Sequence, residues 1–571
     1  MHGLRRYLSV LLIFSGCFLI LALDGIASEY DGPALEYDGA ALEYDGAVSE
    51  YNGIASEGML PGMSVSSLPV SSDPGSAAEA RLAGLPDFME RGMDDWGIPG
   101  MAVAVVKGEE VVYARGFGVR KLGEDAPVDE HTVFGVASLT KAMLSASLGI
   151  LVDEGKLNWD DRVRDHLPWF ELSDPWVSSN VTVVDLLSHQ VGIGRLTGNR
   201  LRFMPDRDPE TIMQFVKHMP FEQTFRSDYV YSNVMYMVAG EVVKAASGMP
   251  WDEFLAERLF APLGMKGAST SITQIADDDN AAWPHQEIHD EVQVIERRNF
   301  DNVGPSASVN ASVADMANWM MLHLGEPGVF RGERLISERV MRDMHQPRQA
   351  FGMSDPMTGS VTAYGMGWGL NYYEGYRISR HSGATDGMTS ILTLVPEEDL
   401  GVIVISNLFC NFRPAVMNYI LDAMLGIDRE RDWHAHYYER YLDTRADAME
   451  RRDSIEAARV PDTPLSLPLE AYTGEYFHKV YDDAVIFEED GNLVMQLWDD
   501  PEMIADLEHW HYDTFRAVWR NPAMREKFIH FDLDQFGQVK QLNVKFTLRQ
   551  ILISVGIYPT DYYRVVEYER L

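Results

Sequence analysis

Three short stretches of this 571-residue chain hold side chains suited to acyl chemistry. "SLTK", residues 138–141, sets Ser138 and Lys141 three apart at the start of a predicted helix. On a helix that spacing puts both on one face. A serine hydroxyl is a weak nucleophile and needs a base beside it. Lysine serves as that base only when uncharged, so its pKa of about 10.4 must be lowered by burial or nearby cations. The helix start helps separately, because its dipole and free N–H groups favour negative charge on a substrate oxygen. No other lysine in the chain has a serine three residues before it, so no second copy competes.

"YSN", residues 231–233, adds a phenol and an amide. Tyr231 could pass a proton to a leaving group, and Asn233 could hold either a substrate carbonyl or the lysine. "HSG", residues 381–383, precedes a strand. If that strand edges the cleft, the N–H of Ala384 pairs with that of Ser138 as an oxyanion hole. Arg380 is next to His381, but successive strand residues point to opposite faces, so Arg380 supplies no charge to the same place. Taken singly, each tripeptide marks packing more often than a site. Together and in this order they point to one.

The elements that must position them are legible. "AAEARLAGLPDFMERGMDDW" has helical spacing, and "MAVAVVKGEEVVYARGFGVR" reads as two strands joined at Gly108–Glu110. A long helix carries "SLTK" and stops at Gly155. Residues 156–345 are mostly helix and loop, with Thr182 and Asp185 forming a capping box. Strands return from Tyr364 as "YGMGWGLNYY", "YRISRHSG", "TSILTLV" and "GVIVISN", and "PAVMNYILDAML" closes as a helix. This predicts an α/β domain over 77–426, an antiparallel sheet flanked by helices with an α-rich lobe. A charged helical linker follows over 427–462, bounded by Pro461, Pro464 and Pro468. Short strands with turns at Asp490-Gly491 and Phe536-Gly537 predict a small all-β barrel over 463–571.

The amino terminus is of another kind. Arg5 and Arg6 precede an apolar run to Leu23, which resembles a secretory signal over 1–27 with small residues near Gly25–Ser28. An uncleaved membrane anchor stays open as the alternative. Residues 28–76 begin with four heptapeptides such as "EYDGPAL"; a glycine in every unit opposes a helix, so they read as a disordered spacer. A secreted or periplasmic location follows from this terminus alone. With Cys17 removed, Cys410 stands alone and forms no intramolecular disulfide. Asp and Glu number 87 against 48 Lys and Arg, a formal charge of −39. Such a surface repels phosphate backbones, which argues against nucleic-acid binding.

Ser138-Leu-Thr-Lys141, Tyr231-Ser-Asn233 and His381-Ser-Gly383 resemble the three motifs of the serine β-lactamase and penicillin-binding-protein superfamily. The pattern is nearest its class C, D-aminopeptidase and esterase branch, over about residues 85–425. "LLSHQVGIG", "PLGM" and "YGMGWGL" are similar to family landmarks, although Gln190 and Val191 depart from the usual form. "YTGEY" and "HYDTFRAVW" resemble the lipocalin-like carboxy-terminal domain of CubicO-group serine peptidases, including an archaeal self-compartmentalising protease. The resemblance implies a β-lactamase-like fold and a two-step acyl transfer. Ser138 attacks, Lys141 takes its proton, and Tyr231 relays it to the leaving group. Ser138 and Ala384 hold the oxyanion beside Gly383, and Asn233 orients the substrate. It implies no metal and no cofactor, and it treats His189 as structural. A small molecule or peptide is the implied substrate, and a homo-oligomer is compatible.

Where His381 stands, penicillin-binding proteins and class C β-lactamases usually carry lysine. A histidine with a pKa near 6.5 is mostly neutral at pH 7. That favours a peptidase, D-amino-acid amidase or esterase over a β-lactamase or D,D-carboxypeptidase. Turnover should then show a pH limb near the pKa of His381. A non-catalytic binder or sensor of peptides or β-lactams is the reading of a different class.

Overall fold

The strands with unbroken apolar runs need cover on both faces, and the chain supplies it with helices on one side and a helical lobe on the other. The computed structural model describes residues 74–194, 207–288, 290–355, 360–427, 431–524, 526–547 and 563–570. The expected signal segment, the heptapeptide repeat and nearly all of the spacer lie outside the described residues.

Helices α1 (Pro74–Arg81) and α2 (Leu85–Trp96) lead into strands β1 (Gly100–Lys107) and β2 (Glu110–Gly118). Six more strands follow the lobe: β3 (Gln349–Asp355), β4 (Ser360–Tyr364), β5 (Gly369–Tyr373), β6 (Tyr376–Thr385), β7 (Met388–Val395) and β8 (Leu400–Ser406). They form one antiparallel sheet in the order β2-β1-β8-β7-β6-β5-β4-β3. β3 and β4 were not expected, since strands were read only from Tyr364. The register between them shifts twice, which blurs the alternation a strand would show.

Val103 and Val105 pack with Met89, Trp96, Val404, Phe412 and Ile420 on one face. Ala102, Ala104, Ile403 and Ile405 join Met143, Leu148 and Trp319 of the lobe on the other. The lobe holds α3 (Thr140–Asp153), α4 (Asn233–Ser247) and α5 (Val313–Met321). The Thr182–Asp185 capping box forms, and a second one opens α5. There Asp315 Oδ2 accepts from Ser312 N at 3.1 Å and from Ser312 Oγ at 2.7 Å.

After α6 (Arg413–Leu425), helix α7 (Trp433–Ala457) buries Trp433 and His434 and packs Tyr437, Tyr438 and Tyr441 against the core beside Trp96, while the rest of it is polar. Arg445 of α7 binds Glu287, and also Asp290 at 2.6 Å, on the hairpin 285–294. Just past its end, Arg459 Nε donates to the carbonyl of Trp510 at 3.0 Å. Trp510 lies in the carboxy-terminal barrel. That barrel closes from eight strands: β9 (Gly474–His478), β10 (Asp482–Glu489), β11 (Asn492–Leu497), β12 (Ile504–His511), β13 (Thr514–Trp519), β14 (Lys527–Leu533), β15 (Val539–Thr547) and β16 (Tyr563–Arg570). β12 went unread in the sequence because its acidic and histidine residues interrupt the apolar pattern. Tyr476, Phe515, Phe531 and Tyr568 fill the interior.

Replacing Asp315 with alanine removes both cap bonds at a site only 6% exposed. Urea denaturation of Asp315→Ala should show a loss of about 1–2 kcal/mol. An unchanged midpoint would mean that the cap does not stabilise α5.

Candidate active site

Ser138 sits in a single 3-10 turn, Ala137–Leu139, immediately before α3. Ala137 has φ +51°, a left-handed conformation that costs a side-chain-bearing residue about 1–2 kcal/mol. The surroundings hold it there. Thr140 Oγ1 donates to Ala137 O at 2.7 Å and accepts from Val309 N at 3.1 Å, while Ser390 Oγ donates to Val136 O at 2.9 Å. Gly383 of β6 lies against this turn. A Cβ there would come within 2.3 Å of Val136 O and 3.0 Å of Ala137 Cβ, so glycine is what allows the close approach.

Lys141 is fully buried, with 0% of its surface exposed. Its Nζ lies 3.2 Å from Ser138 Oγ, 2.6 Å from Asn233 Oδ1 and 2.8 Å from Ser306 O. Desolvation holds its pKa well below the usual lysine value. An uncharged amine has two hydrogens and one lone pair. Asn233 and Ser306 accept the two hydrogens, which turns the lone pair towards the Ser138 hydroxyl. Of the two partners read for Asn233, a substrate carbonyl or the lysine, its Oδ1 meets the lysine here. Tyr231 O–H donates to the same Ser138 Oγ at 3.0 Å.

His189, read as structural, is buried and has φ +60°. Its Nδ1 accepts from Ser232 N at 3.0 Å, and its ring packs 4.4 Å from that of Tyr231. It therefore fixes the turn that carries Tyr231 into α4.

β6 forms the third wall. It joins β5 and β7 through two-residue turns, Tyr373 pairing with Tyr376 and Thr385 with Met388. In this register, alternate N–H groups serve opposite neighbours. Those of Ser382 and Ala384 point to the β5 side, where pairing stops at Gly369 and Arg380. The Ala384 N–H thus lies on the side of β6 that β5 leaves unpaired, one residue past the Gly383 that packs on the turn of Ser138. Arg380, as expected, turns elsewhere: its Nε donates to Thr393 Oγ1 at 2.8 Å.

His381 departs from expectation. It is 5% exposed, Tyr364 O–H lies 2.9 Å from its Nε2, and its Nδ1 lies 2.8 Å from Ser382 O. A carbonyl only accepts, so Nδ1 carries the hydrogen and Nε2 accepts from the tyrosine. Burial, with Lys141 nearby, pushes its pKa down to about 3. The pH limb expected from a histidine titrating near 6.5 is therefore corrected: His381 stays neutral across the neutral range. Tyr364 and Ser306 were missed among the site residues. Tyr364 lay inside the "YGMGWGL" landmark, whereas the Ser306 carbonyl has no sequence signal.

Gly367, in the loop after Tyr364, has φ +83° and packs where a Cβ would stand 2.6 Å from Ala142 Cα. Behind that loop Trp368 stacks on His345 at 4.9 Å. His345 Nε2 lies 3.0 Å from His323 Nδ1, and its Nδ1 lies 2.9 Å from Ser379 Oγ. Burial lowers the pKa of His345 to about 3 and that of His323 well below its usual value. Among the described residues no cluster of three or more His, Cys, Asp or Glu could hold a metal ion.

Sheet, lobe and this serine–lysine arrangement define a serine hydrolase of the β-lactamase fold. Residues 85–423 match the Beta-lactamase family model, and residues 458–553 match a domain of unknown function, DUF3471. The chain belongs to the Beta-lactamase family. It is 26% identical over 434 residues to the unguisins hydrolase ungD′ of Aspergillus campestris, covering 72% of this chain and 78% of that one. It is 29% identical over 317 residues to penicillin-binding protein 4 of Amycolatopsis lactamdurans, covering 54% of this chain and 81% of that one. The fold is similar to that of an octameric penicillin-binding protein homologue from Pyrococcus abyssi, with a TM-score of 0.55 and 20% identity over 85% of this chain and 99% of that one.

Buried neutral histidines, His381, His345, His323 and His285 among them, make stability depend on pH. Their folded pKa values lie below the unfolded value of about 6.5, so the unfolded chain binds more protons in acid. Stability should be full above about pH 6.5 and fall as the pH drops towards 3. At pH 5 the loss is about 2 kcal/mol each for His381 and His345. Denaturation at pH 7 and pH 5 should show it, and His345→Gln should flatten the slope. Equal stability at both values would mean that these rings are charged in the folded chain.

Proposed function

We propose that the chain is an amidase, peptidase or esterase that forms an acyl-enzyme on Ser138 and acts on substrates lacking a carboxylate beside the scissile bond. One observation carries the substrate half of this reading: His381 is buried and neutral, with its Nε2 already accepting from Tyr364. The position where a lysine would meet a substrate carboxylate thus offers no fixed positive charge. D-aminoacyl amides and short esters fit this better than β-lactams or D,D-peptides. The relative named a penicillin-binding protein keeps β-lactam turnover as the runner-up.

In the proposed cycle, neutral Lys141 takes the Ser138 proton while Oγ bonds to the substrate carbonyl carbon. The oxygen that gains negative charge sits between the N–H groups of Ser138 and Ala384. Tyr231 gives its hydroxyl proton to the departing amine or alcohol as that bond breaks. The proton held on Lys141 then restores the phenol. Water attacks the acyl-enzyme by the reverse route and frees the acid. Asn233 and Ser306 act by holding the amine of Lys141 so that its lone pair meets the serine.

A fluorophosphonate probe should label the intact chain, and Ser138→Ala should abolish both labelling and turnover. Tyr231→Phe should lower kcat by about 10²–10⁴, the usual range for a lost proton donor. A panel of D- and L-aminoacyl amides, short esters and a chromogenic cephalosporin tests the substrate. Faster turnover of the cephalosporin than of every amide and ester would sink the reading.

A further inference from the structure

Strand β7 presents one stripe of side chains, Met388, Ser390, Leu392 and Leu394, to the lobe side of the sheet, because alternate residues of a strand share a face. Met388, Leu392 and Leu394 pack into the core there. Ser390 sits among them fully buried, where a hydroxyl costs free energy unless it is bonded. Its Oγ donates to the carbonyl of Val136 at 2.9 Å, two residues before Ser138. The side chain reaches that carbonyl past Gly383, its cross-strand partner on β6. A Cβ on Gly383 would stand 2.5 Å from Ser390 Oγ. The glycine therefore admits both the turn and the hydroxyl that holds it.

An oxyanion held between the N–H groups of Ser138 and Ala384 draws on two separate elements, the turn and β6, which must keep a fixed spacing. Both donors have to come within about 3 Å of the oxygen, and a misplacement of about 1 Å costs about 10²-fold. Thr140, which binds Ala137 O, belongs to α3 itself. Val309, whose carbonyl accepts from Val136 N at 3.0 Å, belongs to the segment leading into α5. Those bonds fix the turn to the lobe, not to the sheet. The packing of Gly383 limits how close turn and β6 can come, but a steric limit does not hold them together. Two side chains of β7 do. Ser390 holds the Val136 carbonyl, and Met388 Sδ accepts from Gly135 N at 3.2 Å. The serine is the stronger tie, since a thioether is a weak acceptor.

We infer that Ser390 is a positioning residue for the oxyanion hole, holding the N–H of Ser138 in register with that of Ala384. The inference rests on the acyl-transfer reading given above and adds the group that sets the spacing of its two donors. The test compares the full chain with its Ser390→Ala variant in kcat/KM on the ester or amide turned over fastest, and in inhibition by phenylboronic acid. The Ser138 oxygen bonds to boron as its proton passes to Lys141, and nothing leaves. The tetrahedral adduct thus sets a boron-bound oxygen where the oxyanion forms. In Ser390→Ala, kcat/KM and affinity for phenylboronic acid should fall together, by about tenfold to 10²-fold. The acid limb of the pH profile, which reports the neutral amine of Lys141, should not move. Ser390→Cys keeps a weak donor and should fall between wild type and alanine; it decides the matter if the alanine variant does not fold. Unchanged turnover and boronic-acid affinity in a folded variant overturn the inference and leave the hydrolase reading standing. Slower turnover with unchanged boronic-acid affinity, or with a shifted acid limb, means that Ser390 acts through Lys141, and the inference is again overturned. A wild type that neither turns over any ester or amide nor binds phenylboronic acid overturns the acyl-transfer reading and this inference with it.

Discussion

An amine that reaches no water cannot easily hold a proton, and the region around Ser138 is built on that fact. Taking an ammonium ion out of water costs several kcal/mol even after the protein relaxes. Lys141 has two aromatic rings within reach, at 4.8 Å and 5.3 Å, and such faces favour a cation. Desolvation outweighs them, and the pKa falls. The dryness is a joint product of distant parts of the chain. The start of α3, the start of α4, the turn ending at Ser306 and the loop around Gly367 each close one side. Loosening any of them admits water and returns the lysine towards its charged form.

The same constraint explains the neutral imidazole on β6. Two buried bases that close together, with no acid between them, are cheapest when neither is protonated. The tyrosine at 364 suits this arrangement because it satisfies the imidazole lone pair with a neutral donor. Tyr236, below it, is likewise held in the protonated phenol form by burial and spends its O–H on Leu187 O at 2.6 Å. Proton traffic is thereby confined to the few groups that touch Ser138. A second lysine in place of the histidine would need a far wetter or more acidic cleft.

Much of this was legible in the sequence, for reasons that differ by residue. Ser138 and Lys141 announce themselves because helix geometry converts a spacing of three into a shared face. Tyr231, Asn233 and Gly383 were legible through their short motifs, and the apolar runs of β1, β7 and β8 marked a sheet covered on both faces. The protonation state of His381 was not legible, since it depends on burial and on a tyrosine 17 residues away. The carbonyl of Ser306 meets a lysine 165 residues distant and has no side-chain identity to read. β3, β4 and β12 were lost where register shifts or polar residues broke the alternation on which strand reading relies.

Helix α7 spans 25 residues, a rod of about 37 Å at 1.5 Å per residue. It is tied by Arg445 to the hydrolase and followed by Arg459, which grips the barrel. Such a rod sets angle as well as distance, because each residue turns the helix by about 100°. Gain or loss of a single residue along it would swing the barrel to a different side of the hydrolase, whereas a change of seven would nearly restore the original bearing. In lineages that carry both modules, insertions in this rod should therefore come in near-whole turns, and its length becomes a record of which face the barrel presents.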